Sequence, residues 1–94
     1  MKFEWDEEKS RRNFIKHGVR FETAAHVFED VNAVSRVDRE VAHEERWKTL
    51  GLAGGIVVLL VAHTFREEEG EEVIRIISAR KATPSERVIY EQGH

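Results

Sequence analysis

Residues 56–65 read IVVLLVAHTF, and this apolar stretch decides the fold. Its β-branched and aliphatic side chains do not alternate with polar ones, which predicts a central β-strand covered on both faces. The dipeptide Gly54-Gly55 comes just before the strand and predicts a turn. The run is far shorter than the roughly 20 apolar residues that a membrane-spanning helix needs, so we expect no membrane partner.

Further strands are expected before and after this run. The expected elements are a short N-terminal strand at 3–5, strands at 32–37, 46–52 and 73–79, a polar loop at 38–44 and a hairpin loop at 67–72. Because the later strands follow one another through short connections, we predict an antiparallel four-stranded sheet.

Helix signals stand on both sides of these strands. Asp6 is suited to cap a first helix that ends at His17, with Gly18 closing it in the left-handed conformation. Apolar residues at helical spacing predict a second helix over residues 21–30. Residues 83–86 read TPSE, a capping box with proline at the first helical position, and predict a last helix to about residue 92. The class is therefore α+β.

Composition limits the kinds of function. The chain has 94 residues, enough for one small domain, and no cysteine, which excludes disulfides, thiolate metal sites and a cysteine nucleophile. Its net charge is -3, but five glutamates lie within residues 67–72, and the remainder carries -3 + 5 = +2. An acidic total therefore does not exclude RNA as a partner. The acidic N-terminus does not resemble a signal peptide, so we expect a cytoplasmic location.

Basic residues gather on the final strands and the last helix, namely Arg66, Arg75, Arg80, Lys81 and Arg87. The guanidinium group matches the oxygens of a phosphate, which favours a phosphate-binding surface. The alternative is ordinary ion pairing with the glutamates nearby. An arginine in an isoleucine-rich strand, as at Arg75, is costly to bury without a partner, so it reaches solvent or pairs with a carboxylate.

Histidine at position 63 closes the apolar run and is a candidate for proton transfer near neutral pH. The alternative is a histidine that is satisfied at a strand end. Regular alternation predicts that His63 shares a sheet face with either Arg75 or the pair Ser78 and Arg80, but not with both. Tyr90, on the last helix, could contact a base, or it could belong to a solvated helix face.

The other histidines do not indicate a cofactor. His17 stands at a helix C-terminus, where a cation is favourable, so capping explains it. No histidine shows the spacing of metal ligands, so we expect neither a metal site nor another cofactor.

Several short motifs follow one another over nearly the whole chain. They are Phe3-Glu4-Trp5-Asp6 with Lys9; Asn13 and Lys16-His17-Gly18-Val19 with Phe21, Ala24 and Phe28; Glu45-Arg46-Trp47 with Gly51; His63-Thr64 with Arg66; Arg75-Ile76-Ile77-Ser78-Ala79-Arg80 with Ala82; and Glu86-Arg87 with Tyr90-Glu91. In these motifs the sequence resembles the BrnT family of bacterial toxins, the ribonuclease half of a type II toxin–antitoxin pair.

This resemblance implies a RelE-like fold and a single BrnT-like toxin domain over residues 1–94. It also implies metal-independent cleavage of RNA in the cytoplasm. The implied partner is a BrnA-type antitoxin with a ribbon-helix-helix part. The complex would bind operator DNA only through this antitoxin. The glutamate-rich loop at 67–72 departs from the family's pattern and argues against an RNA role for that hairpin tip.

Roles follow for particular residues if RNA is cut by attack of its own 2′-hydroxyl on the adjacent phosphate. The expected catalytic residues are His63, for proton transfer, and the charge-stabilising Arg66, Arg75 and Arg80, with Glu45 as an alternative base; the expected substrate-binding residues are Ser78, Lys81, Arg87 and Tyr90. A rival hypothesis is a noncatalytic binding module whose arginine-lined sheet face docks an acidic segment of a partner protein.

Overall fold

The computed structural model describes residues 1–93. In chain order the elements are β1 (Lys2–Glu4), α1 (Glu7–His17), α2 (Phe21–Ala25), a 3-10 turn (His26–Glu29), β2 (Val34–Val41), β3 (Glu44–Ala53), β4 (Val57–Glu68), β5 (Glu71–Lys81) and α3 (Pro84–Gln92). The α+β class is confirmed.

The sheet has five strands in the order β1-β5-β4-β3-β2. Strands β2 to β5 are antiparallel neighbours, as predicted. The prediction of a four-stranded antiparallel sheet was nevertheless incomplete, because β1 joins the edge of β5 in parallel and makes the sheet mixed. Three alternating residues could not reveal this pairing, since their partners lie some 70 residues away, with Phe3 opposite Ile74.

Both predicted loops between strands are much shorter in the structure. Strands β2 and β3 continue to a two-residue turn at Ala42-His43, with φ of 51° and 67°, and β4 and β5 to a turn at Glu69-Gly70, with φ of 52° and 80°. Two consecutive left-handed residues match the twist of a tight hairpin. Polar residues at 38–41 and 67–68 belong to exposed strands, so composition alone wrongly indicated loops.

The predicted ends of the first and last helices are confirmed. The Asp6 carboxylate accepts a hydrogen bond from the Lys9 amide at 3.1 Å, and Gly18 closes α1 with φ of 73°. The capping box between Thr83 and Glu86 begins α3. The second helix is shorter than predicted and continues as the 3-10 turn.

The helices cover the sheet unequally. Helix α2 and the 3-10 turn cover what we call the inner face, with Phe21 and Val27 fully buried against Val61 and Ile76. Helix α3 covers part of the opposite, outer face, where Tyr90 packs with Leu50 and Ala82. Elsewhere on the outer face, Arg36, Lys48 and Ser78 are exposed, whereas Thr64 and Val73 are buried.

The edge of β5 is completed by a side chain. Within residues 1–93, β1 pairs only with Val73, Ile74 and Arg75, and no strand of that range lies beside the later residues of β5. Asn13 of α1, only 8% exposed, accepts a hydrogen bond from the Ala79 amide at 3.2 Å and donates to the Ala79 carbonyl at 2.8 Å. Asn13 thus replaces one residue of a neighbouring strand and fixes the end of α1 against β5.

A bulge in β5 decides which side chains share a face. Ala62 pairs with Ser78, but the next residue, His63, pairs with Ile76, so one residue of β5 is extra at this point. The bulge brings Arg75 onto the outer face together with Ser78. The sequence predicts that His63 shares a face with Arg75 or with the pair Ser78 and Arg80. This prediction was wrong because it assumed regular alternation: His63 lies on the inner face, and these residues lie on the outer face.

His63 is a satisfied core residue with 1% exposure. Its Nδ1 lies 3.2 Å from the Thr64 carbonyl, which can only accept, so the neutral ring carries its proton there. Its Nε2 then accepts from the Thr49 hydroxyl at 2.7 Å, and Thr49 accepts from Ser35 at 2.7 Å. Burial lowers the pKa of His63, since the charged ring would lose its water.

We expect Asn13→Ala to lower the free energy of unfolding by about 2–4 kcal/mol, because the amide and carbonyl of Ala79 would lose their buried partners. Urea unfolding measures the change. The matched control is Asn32→Ala, at an exposed position, which should have little effect. Equal stabilities of the two variants would contradict a role for Asn13 at the sheet edge.

We expect the stability to fall as the pH drops below about 6.5, because the unfolded chain binds a proton at His63 more readily than the folded chain does. In His63→Gln this part of the pH dependence should disappear from urea-unfolding curves. Ring NMR signals provide an independent measurement, and His63 should titrate below the ordinary histidine range. A ring that titrates at or above that range would contradict the desolvated, neutral state.

Candidate nucleic-acid interface

The open part of the outer face forms a groove beside α3. Three adjoining pockets of about 190, 240 and 500 Å³ share Lys48 as a lining residue. We call them together the outer groove. Its charged or polar lining residues are His17, Arg36, Asp38, Arg39, Arg46, Lys48, Ser78, Arg80 and Glu86. Basic side chains outnumber the two carboxylates, so the groove favours a polyanion.

One end of the outer groove brings His17 next to Ser78 and Arg80 in the pocket of about 190 Å³. His17 is one helical turn beyond Asn13 and therefore lies on the same side of α1, the side fixed against β5. The imidazole is partly buried and makes no hydrogen bond or ion pair with any residue in the described part of the chain. Its ring nitrogens are therefore available to a molecule that binds in this pocket.

Arg80 is held by Glu86 in a bidentate pair, with Nη1–Oε1 at 2.8 Å and Nη2–Oε2 at 3.0 Å. These bonds lower the pKa of Glu86 to about 2. Nη1 also donates to the Lys81 carbonyl at 3.3 Å. Of the five guanidinium N–H groups, the Nε–H and the adjacent Nη2–H remain for a ligand. Arg80 can therefore hold a phosphate while its ion pair keeps it in place.

Arg66 and Arg75 converge on Glu4 at the other end of the sheet. Arg66 donates to both Glu4 oxygens, at 2.7 and 3.1 Å, and to Glu68 at 2.9 Å, while Arg75 lies 3.5 Å from Glu4. The hydrogen bonds from Arg66 lower the pKa of Glu4. For Arg66 the structure favours the ion-pair interpretation, and neither arginine lines the outer groove.

Four other predicted site residues also lie outside the groove. Tyr90 is 6% exposed and donates a hydrogen bond to Asp30 at 2.5 Å. Its pKa is raised to about 12, mainly by burial and to a lesser extent by this hydrogen bond. Arg87 donates to the Ala82 carbonyl on an exposed side of α3. The register places Lys81 opposite Leu59, and Glu45 on the inner face beyond Trp47. These positions do not support the roles expected for them.

Of the expected site residues, Ser78 and Arg80 line one pocket; His17 and Lys48, which were not expected as site residues, line it with them. In the sequence, helix capping is a sufficient explanation for His17. Lys48 lies two residues after Arg46 along β3, so the two basic side chains point to the same face of the sheet. This spacing is the indication of a charged sheet face that the sequence contains.

The described residues contain neither a membrane-spanning helix nor a metal-binding cluster. Among the helices within residues 1–93, none is long and apolar enough to cross a membrane. No group of three or more His, Asp or Glu side chains in the same range is arranged to hold a metal ion.

Comparisons with known proteins relate this chain to a family of toxins. A family model described as the ribonuclease toxin, BrnT, of type II toxin–antitoxin systems matches residues 5–86. The chain is also similar to the 1.1 Å crystal structure of the Brucella abortus ribonuclease toxin, BrnT, with a TM-score of 0.59 and 27% identity. That match covers 88% of this chain and 97% of the other. A search of curated proteins found no significant match.

The family match spans most of the chain, and the similar structure agrees in the arrangement of helices and sheet. The chain belongs to the BrnT family of ribonuclease toxins of type II toxin–antitoxin systems.

Proposed function

We propose that this chain is a RelE-like, metal-independent endoribonuclease that cleaves RNA in the outer groove and thereby arrests growth. Family membership supports the nuclease activity. The observation that carries the choice of site is the convergence of His17, Lys48 and Arg80 in one pocket on the basic face. The single toxin domain spans residues 1–94 and acts in the bacterial cytoplasm.

Cleavage proceeds in this proposal by attack of the 2′-hydroxyl on the adjacent phosphate. The reaction needs a proton acceptor, a proton donor for the leaving 5′-oxygen and positive charge beside the phosphate. His17, whose imidazole has no competing partner in the described chain, accepts the proton of the 2′-hydroxyl as the new P–O bond forms. It then returns that proton to the 5′-oxygen as the P–O5′ bond breaks. Arg80 stabilises the phosphate through its remaining N–H pair, Lys48 adds a second positive charge, and Ser78 orients the phosphate.

The rest of the outer groove binds the flanking nucleotides. Arg36, Arg39 and Arg46 follow the groove away from His17 and contact neighbouring phosphates. Arg39 is 3.8 Å and Lys48 3.6 Å from Asp38, so this carboxylate keeps both side chains over the groove. Binding of this kind is sensitive to salt, because each phosphate contact releases counterions.

Control of the toxin rests on a protein partner. Membership of a type II system implies a protein antitoxin. We propose that it is of the BrnA type, with a ribbon-helix-helix part, and that the toxin reaches operator DNA only through it.

We expect His17→Asn to slow cleavage of a short RNA by about 10²–10⁴-fold, because proton transfer would be lost. Arg80→Gln should slow it by about 10²–10³-fold. Single-turnover cleavage measures both rates, and the pH dependence of the rate should change in His17→Asn. Circular dichroism verifies that the variants fold.

The matched controls are Arg66→Gln and His63→Gln, which alter the same residue types away from the groove and should cleave at rates close to the unsubstituted chain. If folded His17→Asn and Arg80→Gln remain fully active, the proposed site is wrong. If the unsubstituted chain binds an acidic peptide on its outer face but leaves RNA intact, the noncatalytic module replaces the nuclease.

We expect cleavage to continue in excess EDTA, because the proposed proton transfer and charge stabilisation come from His17, Arg80 and Lys48. The measurement compares the rate before and after dialysis against the chelator, and again after magnesium is restored. A rate that collapses with EDTA and returns with magnesium would contradict the metal-independent mechanism.

A further inference from the structure

The inner face is not fully covered. Beyond the 3-10 turn it carries a groove of about 350 Å³ whose lining includes Phe28, Trp47, His63 and Phe65. The rings of Trp47 and Phe65 lie 6.5 Å apart, and Phe65 is 43% exposed. We call this the aromatic groove. It is on the opposite side of the sheet from the outer groove.

Four glutamates extend the same face toward the two hairpin tips. Glu67 is two residues beyond Phe65 and pairs with Glu72, while Glu45 is two residues before Trp47 and pairs with Glu40. Residues two apart on a strand point to the same side of a sheet. The four carboxylates therefore form an acidic rim on the side of the aromatic groove, and two of them, Glu67 and Glu72, come from the glutamate-rich segment at 67–72.

These glutamates are arranged unfavourably for the isolated chain. Like charges directly opposite each other destabilise a sheet, and the rim contains two such pairs. None of the four is in an ion pair with a residue of the described range 1–93. By contrast, Glu68, on the other side of the same hairpin, is paired with Arg66 at 2.9 Å. A basic partner would remove the repulsion.

We propose that the aromatic groove and its acidic rim form a docking surface for a basic segment of the protein antitoxin, with one or two large apolar side chains between lysines or arginines. The aromatic floor suits apolar anchors, because buried aromatic contacts dominate many protein interfaces. The four carboxylates select basic flanks and repel the phosphates of RNA. The proposal rests on family membership and not on where RNA is cut.

Isothermal titration of the antitoxin into the chain tests the proposal. The double substitution Glu67→Lys with Glu72→Lys should raise the Kd at least about tenfold, because attraction at the rim becomes repulsion. The control is Glu71→Lys, which makes one such charge reversal on the outer side of the same hairpin, where Glu71 pairs with Glu68; it should leave the Kd nearly unchanged.

A second variant tests the aromatic floor. Phe65→Ser removes a ring that is already 43% exposed, so the fold should persist while the Kd again rises at least about tenfold. RNA cleavage by both variants should stay within about twofold of the unsubstituted chain, since neither touches the outer groove. This readout separates failure of the docking surface from failure of the proposed active site.

Three results would overturn the proposal. The first is an unchanged Kd in both the charge-reversal and Phe65→Ser variants. The second is hydrogen-exchange protection by the antitoxin that spares the two hairpins, or protection there by a segment that is acidic. The third is sedimentation showing that the inner-face variants disrupt self-association of this chain instead, which would make a second copy the occupant.

Discussion

The hydrogen bonds between Asn13 and Ala79 hold helix α1 against strand β5, and the arrangement of the candidate site depends on this contact. Because β1 is only three residues long, most of the β5 edge lacks a neighbouring strand, and buried backbone groups need a partner. Asn13 supplies that partner from a helix instead of a strand. The same contact brings the end of α1, and with it His17, beside Ser78. The contact that satisfies the edge of β5 therefore also places the His17 imidazole at the basic pocket.

The β5 bulge then separates two kinds of surface. It leaves His63 neutral and buried on the inner face and gathers Arg75, Ser78 and Arg80 on the outer face. Beyond the core, the inner face carries aromatic rings and glutamates that form no ion pair within residues 1–93, whereas the outer face carries a basic groove. The net charge of -3 averages two faces of opposite character. This division allows the two sides to recognise partners of opposite charge.

Arginines that look equivalent in the sequence differ in the structure through their carboxylate partners. Arg66 is held by Glu4 and Glu68 at once, and it fastens β1 and the hairpin to each other. Arg80 is held end-on by Glu86, which itself caps α3, and two of its N–H groups remain for a ligand. The ion pair of Arg80 is therefore compatible with binding a ligand, whereas the ion pairs of Arg66 occupy its guanidinium group.

The sequence by itself determined the features that depend on neighbouring residues: the caps at Asp6, Gly18 and Thr83, the central apolar strand and the α+β class. Capping and alternation act over a few residues, so they are visible in the chain. Only the tertiary structure decided the parallel addition of β1, the bulge in β5 and the meeting of His17 with Arg80, because each depends on pairing between distant segments. For the same reason Tyr90 and His63, plausible site residues in the sequence, became buried supports once helices and strands were packed together.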